Sequence, residues 1–375
     1  MIKVLNIISD SNIGGAGRCL INFLKYYDRK KISVKVIVPR GSLLVNEFKK
    51  LKTDVIEIDG IADKSFDVKA IGKLNRIIKK LSPDIVHTHG TVTGRICGRL
   101  CGKKVIYTRH SVFPVSPKIQ KGIGRFINKT LNEFLADDII AVAEAAKENL
   151  TDGGINPNKI KVILNGVEPV ERDRQEEINN TKIKYGITDN DFVIGILARL
   201  EAVKGHEFLI EAAKILKNKG KNIKVLIIGT GTEEDNLKNK VKAMNLEDTV
   251  IFTGFISDVK KLLSIMDLQA NASYGTEATS LALLEGMSLG IPAVVSNYGG
   301  NPGVITHGEN GYIFKLKDSQ DMAKYIEMLI DDKKTYEYMS KRAIEIFNSK
   351  FTAEIYARNI EKVYEDIMNK WKRCL

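Results

Sequence analysis

NASYGTEATSLALLEGMSLGIPAVVSNYGGNPGVITHGENGYI, residues 271–313, contains a loop, a helix and a strand in succession. A loop of small residues ends at Glu277, after which Thr279 or Ser280 is placed to cap the first turn of a helix. Gly290 ends that helix, and the AVVS run that follows predicts a short buried strand. The free N–H groups of the first helical turn favour an anion, so this stretch predicts a phosphate-binding site.

Two carboxylates, Glu277 and Glu285, flank the start of the predicted helix. Because phosphate is anionic, carboxylates beside it are better suited to accept hydrogen bonds from hydroxyl groups. Gly299 and Gly300 follow the strand and let the backbone approach a ligand without a Cβ atom in the way. Phosphate together with several hydroxyl groups is the chemistry of a sugar nucleotide.

Length and composition are those of an ordinary globular protein. A chain of 375 residues is long enough for two domains, and 43% hydrophobic with 28% charged residues is typical of soluble proteins. No apolar run reaches the roughly 18 residues of a membrane helix, and the N-terminal MIKVLNIIS predicts a first strand rather than a signal peptide. Four cysteines without a secretory signal favour reduced thiols, so we expect a cytoplasmic protein.

The positive charge is concentrated in the first half of the chain. Residues 1–170 hold 29 Lys and Arg against 16 Asp and Glu, whereas the remainder holds 29 against 30. No nucleic-acid-binding motif accompanies this excess, so nucleic acid is not the expected partner. An anionic membrane surface at the inner face, or an acceptor carrying phosphate, fits better, and a solvated Lys-rich surface explains the charge equally well.

Strand-like and helix-like segments alternate along the chain. The strand-like runs include VLNIIS, SVKVIV, VIEI, DIVHTHG and KVIYTRH in the first half, and FVIGIL, KVLIIG and TVIFTG in the second. Such alternation predicts parallel sheets with helices on both faces. Because segment 169–188 is charged and poor in apolar residues, we place a domain boundary there. The sequence thus predicts an α/β protein of two tandem doubly wound, Rossmann-like domains.

Glycines and histidines mark the loops of the first half. Gly14 and Gly15 join the first strand to the first helix, where they permit φ > 0 and close approach to an anion, although a tight structural turn is the alternative. His87 and His89 share one face of a strand, but no third ligand at metal-site spacing accompanies them. His110 follows the next strand, at the edge where open α/β sheets bind ligands, and a structural role is its alternative.

The segment SVFPVSPKIQKGIGRFINKT mixes apolar and basic residues. Its apolar members are Phe113, Ile119, Ile123, Phe126 and Ile127, and its basic members are Lys118, Lys121, Arg125 and Lys129. This mixture predicts either a segment that lies on a membrane surface or a buried connecting helix, and the sequence does not choose between them.

Arg199 and Lys204 lie in the GILARLEAVKGHEFLIEA segment, between a buried strand and a helix. Two cations at that edge can neutralise a diphosphate, the Arg through paired N–H donors and the Lys as a point charge. Two ordinary surface cations are the alternative.

The spacing of Glu277 and Glu285, together with GIPAVVSNYGG and GENGYIF, resembles the E-x7-E signature of the family 4 retaining glycosyltransferases of GT-B architecture. Further matching residues are Gly14 and Gly15 for a Gly-Gly loop, Thr108 and His110 for a T-x-H, and Arg199, Lys204 and Gly205 for an R-x4-K-G. One departure is Gly303, near a position where many members carry a Glu that supports the donor site. The resemblance extends over nearly the whole chain.

The resemblance implies a role for each matched residue. The residues implied to carry catalysis are His110, Arg199, Lys204 and Glu277. The residues implied to bind the diphosphate and ribose are Gly14, Gly15, Gly205, Thr279, Ser280, Leu281 and Glu285, and those near the base are Gly229, Glu233 and Ile256. No cofactor or metal is implied, and the one D-x-D, at Asp189 and Asp191, is explained by turn chemistry.

The resemblance also assigns the domains. It implies an acceptor-side domain over 1–170, a donor domain over 171–355 and a last helix, 356–375, that packs back on the first domain, with the two domains facing a central cleft. We therefore expect a metal-independent, retaining hexosyl- or N-acetylhexosaminyl-transferase that uses a nucleotide sugar, preferably a UDP-sugar. Its acceptor is expected to be a carbohydrate or lipid-linked hydroxyl compound in bacterial surface polysaccharide or glycolipid assembly. A sugar-nucleotide epimerase and a catalytically silent nucleotide-sugar-binding module are the alternatives.

Overall fold

The computed structural model describes residues 1–112 and 115–373, so that Phe113 of the mixed apolar and basic segment lies outside the described residues, as do the last two residues of the predicted helix 356–375. The chain divides into two compact units. Unit 1 contains Met1–Val167 and Phe351–Leu375, and unit 2 contains Glu168–Lys350. The sequence placed the corresponding boundaries at residues 170 and 355.

Unit 1 contains a parallel sheet of seven strands in the order β3-β2-β1-β4-β5-β6-β7. The strands are β1 Ile2–Ile8, β2 Ile32–Pro39, β3 Asp54–Ile58, β4 Ile85–His89, β5 Lys104–Arg109, β6 Asp138–Ala141 and β7 Ile160–Val162. The helices are α1 Gly15–Tyr26, α2 Leu44–Lys50, α3 Val68–Leu81, α4 Val92–Leu100, α5 Pro117–Gln120, α6 Gly122–Leu135, α7 Glu144–Asp152 and α16 Ala353–Arg373.

The N-terminal strand β1 lies inside this sheet, third of the seven strands, and its residues 4–8 are buried on both faces. Val4 pairs with Val34 of β2 on one side and with Ile85 of β4 on the other, and all three side chains are buried. Helices cover both faces of such a sheet, which explains why its strands are nearly continuous apolar runs. The C-terminal helix α16 packs against α1, with the buried ring of Tyr364 edge-on to Phe23 at 5.9 Å.

Unit 2 contains a parallel sheet of six strands in the order β10-β9-β8-β11-β12-β13. The strands are β8 Phe192–Leu197, β9 Ile223–Ile228, β10 Val250–Gly254, β11 Leu268–Asn271, β12 Ala293–Ser296 and β13 Gly311–Phe314. The helices are α8 Gln175–Lys184, α9 His206–Asn218, α10 Glu234–Ala243, α11 Lys260–Leu263, α12 Leu281–Ser288, α13 Asn301–Val304, α14 Ser319–Asp331 and α15 Lys333–Lys350.

Two segments differ from their sequence-based interpretation. The polar stretch 169–188 contains helix α8, which buries Ile178 against the core of unit 2. Helix α6 is not a buried connecting helix, since most of its large apolar side chains are exposed. None of the helices in the described part of the chain is long and apolar enough to cross a membrane.

Candidate active site

The strand order of unit 2 defines where a ligand would bind. Strands β8 and β11 are neighbours, but the chain leaves β8 toward β9 and leaves β11 toward β12. At such a switch point the loops after the two strands diverge and leave a crevice at the carboxyl edge of the sheet. These loops are residues 198–205 and 272–280, and they contain the predicted Arg199, Lys204 and Glu277.

Lys204 and Glu277 form an ion pair across these two loops. Lys204 Nζ lies 2.9 Å from Glu277 Oε2, and the two side chains are only 13% and 9% exposed. Ser273 Oγ donates a hydrogen bond to the same oxygen at 3.1 Å, and Asn271 Nδ2 does so at 3.4 Å. The sequence did not predict Asn271 and Ser273 as site residues; Asn271 is the last residue of β11, and Ser273 lies in the loop that follows.

The backbone of Glu277 is fixed by the Gly-Gly turn. Gly300 N donates to Glu277 O at 3.1 Å, and Gly299 adopts φ +58°. A Cβ atom on Gly299 would lie 2.0 Å from Glu277 O, so only glycine fits. The close approach that the sequence assigned to a ligand is made by the carbonyl of Glu277.

Gly205 joins the two loops in a similar way. It adopts φ +68°, and a Cβ atom would lie 2.2 Å from Ala272 O in the loop after β11. Tyr274 N donates to Val203 O at 2.9 Å, which adds a backbone hydrogen bond between the same loops. These contacts fix Lys204 relative to Glu277, because each residue lies within a few positions of a constrained backbone contact.

Arg199 occupies a different environment. Its side chain is 71% exposed and pairs with Glu201 Oε1 at 2.6 Å. The structure therefore brings Lys204 and Glu277 into direct contact, whereas the described ion pair of Arg199 is with its own loop. An exposed guanidinium at a strand end remains accessible to an anionic ligand.

The residues predicted near the base lie at the ends of β9 and β10. A Cβ atom on Gly229 would lie 2.1 Å from Ala198 O, and Glu233 N donates to Leu200 O at 2.9 Å, so the loop after β9 packs against the loop after β8. The Glu233 carboxylate accepts from Asn236 at 2.9 Å. Ile256 is partly buried against the core.

Helix α12 begins at Leu281, as the sequence predicts, and Ser280 is its N-cap. Ser280 Oγ accepts a hydrogen bond from Leu283 N at 3.4 Å. Thr279 precedes the cap, and Glu285 is half-buried in the second turn. The start of α12 therefore follows directly on the loop that carries Glu277, and a phosphate site at this helix N-terminus stays a prediction.

The glycine loop of unit 1 follows β1, next to β4 at the switch point of that sheet. Gly14 is the N-cap of α1 with φ −89°, and Gly15 is the first helical residue; both are exposed and neither adopts φ > 0. The left-handed conformation permitted by these glycines is not used. Asp10 in the same loop was not predicted, and burial, with the nearby Asp63 charge, raises the pKa of its carboxyl to about 6.

His110 is the end of a hydrogen-bonded chain in unit 1. His89 Nε2 lies 2.9 Å from Asn6 Oδ1, and His89 Nδ1 lies 2.9 Å from His110 Nε2. An amide oxygen only accepts, so His89 Nε2 carries the hydrogen and His89 Nδ1 accepts from His110 Nε2–H. His110 Nδ1 then keeps its lone pair, and this buried atom has no hydrogen-bond partner among the described residues.

Burial keeps these histidines neutral. It lowers the pKa of His110 to about 4, and burial with the neighbouring histidines lowers the pKa of His89 well below its usual value. His87 bonds Tyr364 at 2.6 Å and Thr108 at 2.7 Å, and its pKa falls to about 3, mainly through burial. Among residues 1–112 and 115–373, no group of three metal-ligating side chains is placed to hold an ion.

Comparison with known proteins agrees with this architecture. Residues 177–346 match the family model "Glycosyl transferases group 1", and residues 13–171 match "Glycosyltransferase Family 4". The chain is 30% identical over 319 residues to UDP-Gal:alpha-D-GlcNAc-diphosphoundecaprenol alpha-1,3-galactosyltransferase of Escherichia coli, covering 81% of each protein. It is 27% identical to N-acetyl-alpha-D-glucosaminyl L-malate synthase of Bacillus anthracis, covering 81% of this chain and 80% of that protein.

Two solved structures have the same fold over nearly the full length. Anabaena HepE in complex with UDP superposes with a TM-score of 0.84 at 22% identity, covering 97% of this chain and all of that one. A glycosyltransferase from Rickettsia africae superposes with a TM-score of 0.85 at 21% identity, covering 98% and 99%. The fold and the matched sequences define a glycosyltransferase of GT-B architecture. The chain belongs to glycosyltransferase family 4, which confirms the resemblance seen in its motifs.

Proposed function

We propose that this glycosyltransferase transfers a sugar from a UDP-sugar to a hydroxyl group, with retention of configuration at the anomeric carbon. The observation that carries the proposal is the nearly buried Lys204–Glu277 pair at the β8/β11 switch point. One edge of one sheet thereby offers a cation for a diphosphate and a carboxylate for sugar hydroxyls. Unit 2 is the donor-binding unit in this proposal, and unit 1 binds the acceptor.

The residue roles follow from the charge that develops in the reaction. Departure of an anionic diphosphate sets the barrier, so stabilisation of that charge is the largest contribution that the protein makes. Lys204, Arg199 and the N–H groups at the start of α12 supply it. Glu277, oriented by its three donors, accepts hydrogen bonds from the donor sugar, and we do not assign it as a nucleophile. His110 Nδ1 accepts from a sugar hydroxyl, and Glu285 binds the ribose.

The names of relatives support the substrate classes. The Escherichia coli relative is named for UDP-Gal and a diphosphoundecaprenol-linked acceptor, and HepE has been solved with UDP-glucose. A Staphylococcus aureus relative, 24% identical over 98% of both proteins, is named for capsular polysaccharide biosynthesis. We infer a hexosyl- or N-acetylhexosaminyl-transferase that acts on a carbohydrate or lipid-linked acceptor in surface polysaccharide or glycolipid assembly, at the cytoplasmic side of the membrane.

We propose that neither a divalent metal nor a cofactor takes part. Lys204 and Arg199 offer the positive charge that a metal ion supplies in other transferases. The D-x-D motif has a structural use, because Asp191 Oδ2 accepts from Thr188 N at 2.7 Å and from Thr188 Oγ1 at 2.8 Å.

The test is release of free nucleotide from UDP-, GDP- and ADP-sugars without acceptor, in the presence of EDTA. We expect slow hydrolysis of a UDP-sugar, lost in Glu277→Ala and reduced at least about tenfold in Arg199→Ala. Arg174→Ala is the matched control, since Arg174 is also an exposed arginine paired with a glutamate in its own segment. The anomeric configuration of the transferred sugar, read by NMR, tests retention.

Several outcomes would contradict the proposal. If no donor is hydrolysed and no nucleotide binds, the roles proposed for these residues in sugar transfer would be refuted. Hydrolysis that requires Mg²⁺ would contradict the proposal that no divalent metal takes part. Equal activity of Arg199→Ala and Arg174→Ala would remove Arg199 from the donor site.

A further inference from the structure

Helix α6 turns its apolar residues away from the protein. The exposed fractions are 79% for Ile123, 69% for Phe126, 57% for Ile127, 50% for Leu131 and 68% for Phe134. With 100° between successive residues, these positions share one side of the helix. We call these five side chains the α6 apolar face.

The opposite, polar side of α6 holds the helix on unit 1. Asn128 Nδ2 donates to Gly153 O at 2.7 Å, and Asn132 Oδ1 accepts from Arg95 Nη1 at 2.7 Å. Arg125 Nη1 donates to Asp152 O at 2.6 Å. Rotating the helix to bury the apolar face would break these bonds, two of which are partly buried, so they hold the helix in this orientation.

A contiguous apolar surface of this kind marks an interaction site, because exposure of several large side chains to water is costly. The charges beside it indicate the partner. Lys118 and Lys121, which precede the helix, and Lys129, one turn after Phe126 on its flank, are exposed. The one carboxylate of the helix, Glu133, accepts from Asn156 N at 2.9 Å. A second copy of this chain would bring the same cations together, which disfavours a symmetric dimer through this face.

We propose that the α6 apolar face docks on the surface of an anionic lipid bilayer. The apolar side chains enter the boundary between headgroups and acyl chains, and the lysines before and beside the helix contact lipid phosphates, which is the arrangement of an interfacial amphipathic helix. The net positive charge of residues 1–170 adds long-range attraction to the same surface. This inference concerns one surface and does not depend on which sugar is transferred.

Vesicle binding by the full-length protein tests the inference. We expect the wild type to co-sediment with phosphatidylglycerol vesicles and only weakly with phosphatidylcholine vesicles. Phe126→Ser combined with Phe134→Ser should weaken binding at least about tenfold, since two large apolar side chains no longer enter the lipid. The matched control is Ile183→Ser, which removes an equally exposed apolar residue from α8 in unit 2 and should bind as wild type.

Two further variants separate the apolar from the electrostatic contribution. Lys121→Gln combined with Lys129→Gln should weaken binding to phosphatidylglycerol by about fivefold per charge and reduce its salt dependence. In Phe126→Trp, the new indole should shift its fluorescence to the blue on addition of the same vesicles.

The membrane-docking inference can be refuted while the proposed transferase function stands. The inference would be refuted if the wild type does not bind phosphatidylglycerol vesicles. It would also be refuted if the Phe126→Ser/Phe134→Ser variant binds them as well as the wild type does. A dimeric wild type that the same variant converts to a monomer would assign the face to a second copy instead. Donor hydrolysis without acceptor should be unchanged in this variant, because α6 carries none of the residues proposed to bind the donor.

Discussion

Lys204 Nζ lies 2.9 Å from Glu277 Oε2, and both side chains are nearly buried although 73 residues separate them in sequence. A buried ion pair of this kind contributes little net stability, but removal of one partner leaves an uncompensated charge in a poorly solvated position. The pair therefore fixes two loops of the site in one relative arrangement. It also predicts how the two residues respond to substitution.

Lys204→Met should destabilise the protein by about 3–5 kcal/mol, because Glu277 loses its counter-charge. Lys204→Met combined with Glu277→Gln should recover much of that loss, as both charges are then absent. In the double variant, the free energy of unfolding, measured by denaturant titration, should recover. Donor hydrolysis should stay lost, because both site residues are changed. Additive destabilisation would contradict the coupling.

Asn6→Leu should reduce donor hydrolysis at least about tenfold without removing any group proposed to touch the donor. Without the Asn6 oxygen, His89 is no longer held with its hydrogen on Nε2, so His110 no longer keeps a free lone pair on Nδ1. Ring-nitrogen NMR reports the tautomer directly. Unchanged His110 nitrogen shifts in the variant would contradict this role.

The free energy of unfolding should fall as the pH drops below about 6.5. His110 has a pKa of about 4 in the folded protein against 6.5 for an ordinary histidine, so between these values the unfolded chain binds more protons than the native state. Each buried histidine then contributes about 1.4 kcal/mol per pH unit. Denaturant titration from pH 7.5 to pH 4.5 measures the slope, and His87→Gln should reduce it. A stability independent of pH over this range would refute the prediction.

Gly205→Ala and Gly299→Ala should each destabilise unit 2 by more than about 2 kcal/mol. Both positions have positive φ, and each new Cβ atom would meet a backbone oxygen, at 2.2 Å and 2.0 Å respectively. Gly303→Ala is the control, because open space surrounds its Cβ position and its φ is not positive; it should be neutral or stabilising by up to about 1 kcal/mol. Thermal unfolding compares the three.

Gly303→Glu should fold like the wild type, since Gly303 is exposed at α13 and nothing lies within 4 Å of its Cβ position. If the glutamate that the family resemblance places near this position supports the donor site, the variant should bind its donor more tightly, by about threefold or more. Calorimetric titration with the nucleotide sugar measures this, with Gly303→Gln as the uncharged control. Equal affinity in all three proteins would show that this position does not reach the donor.

Most of the architecture was predictable because it depends on local patterns. Apolar runs such as residues 193–196, and residues 4–8 with Asn6 as their one polar member, predict buried parallel strands, and the alternation with helices predicts the doubly wound sheets. The loop after β8 was found from sequence for the same reason, since a polar residue directly after a buried strand lies at a sheet edge. The loop of Glu277 was found instead from its small residues and the helix that follows it, and the short strand β11 before it was not predicted. Helix α8 was not predicted, because its segment is mostly polar and Ile178 alone gives too weak an apolar pattern.

The sequence alone determined the local features of the site, because backbone geometry and helix capping act over a few residues. These features are the residue types at the switch points, the glycines between strand and helix, and the Ser280 cap. Only the tertiary structure decided that Lys204 pairs with Glu277 while Arg199 pairs with Glu201, and that Asn6 and His89 orient His110. It also decided that α6 is held by its asparagines and faces outward with its phenylalanines. These outcomes depend on contacts between distant segments, and a side chain's partner there is set by packing and burial that no local pattern encodes.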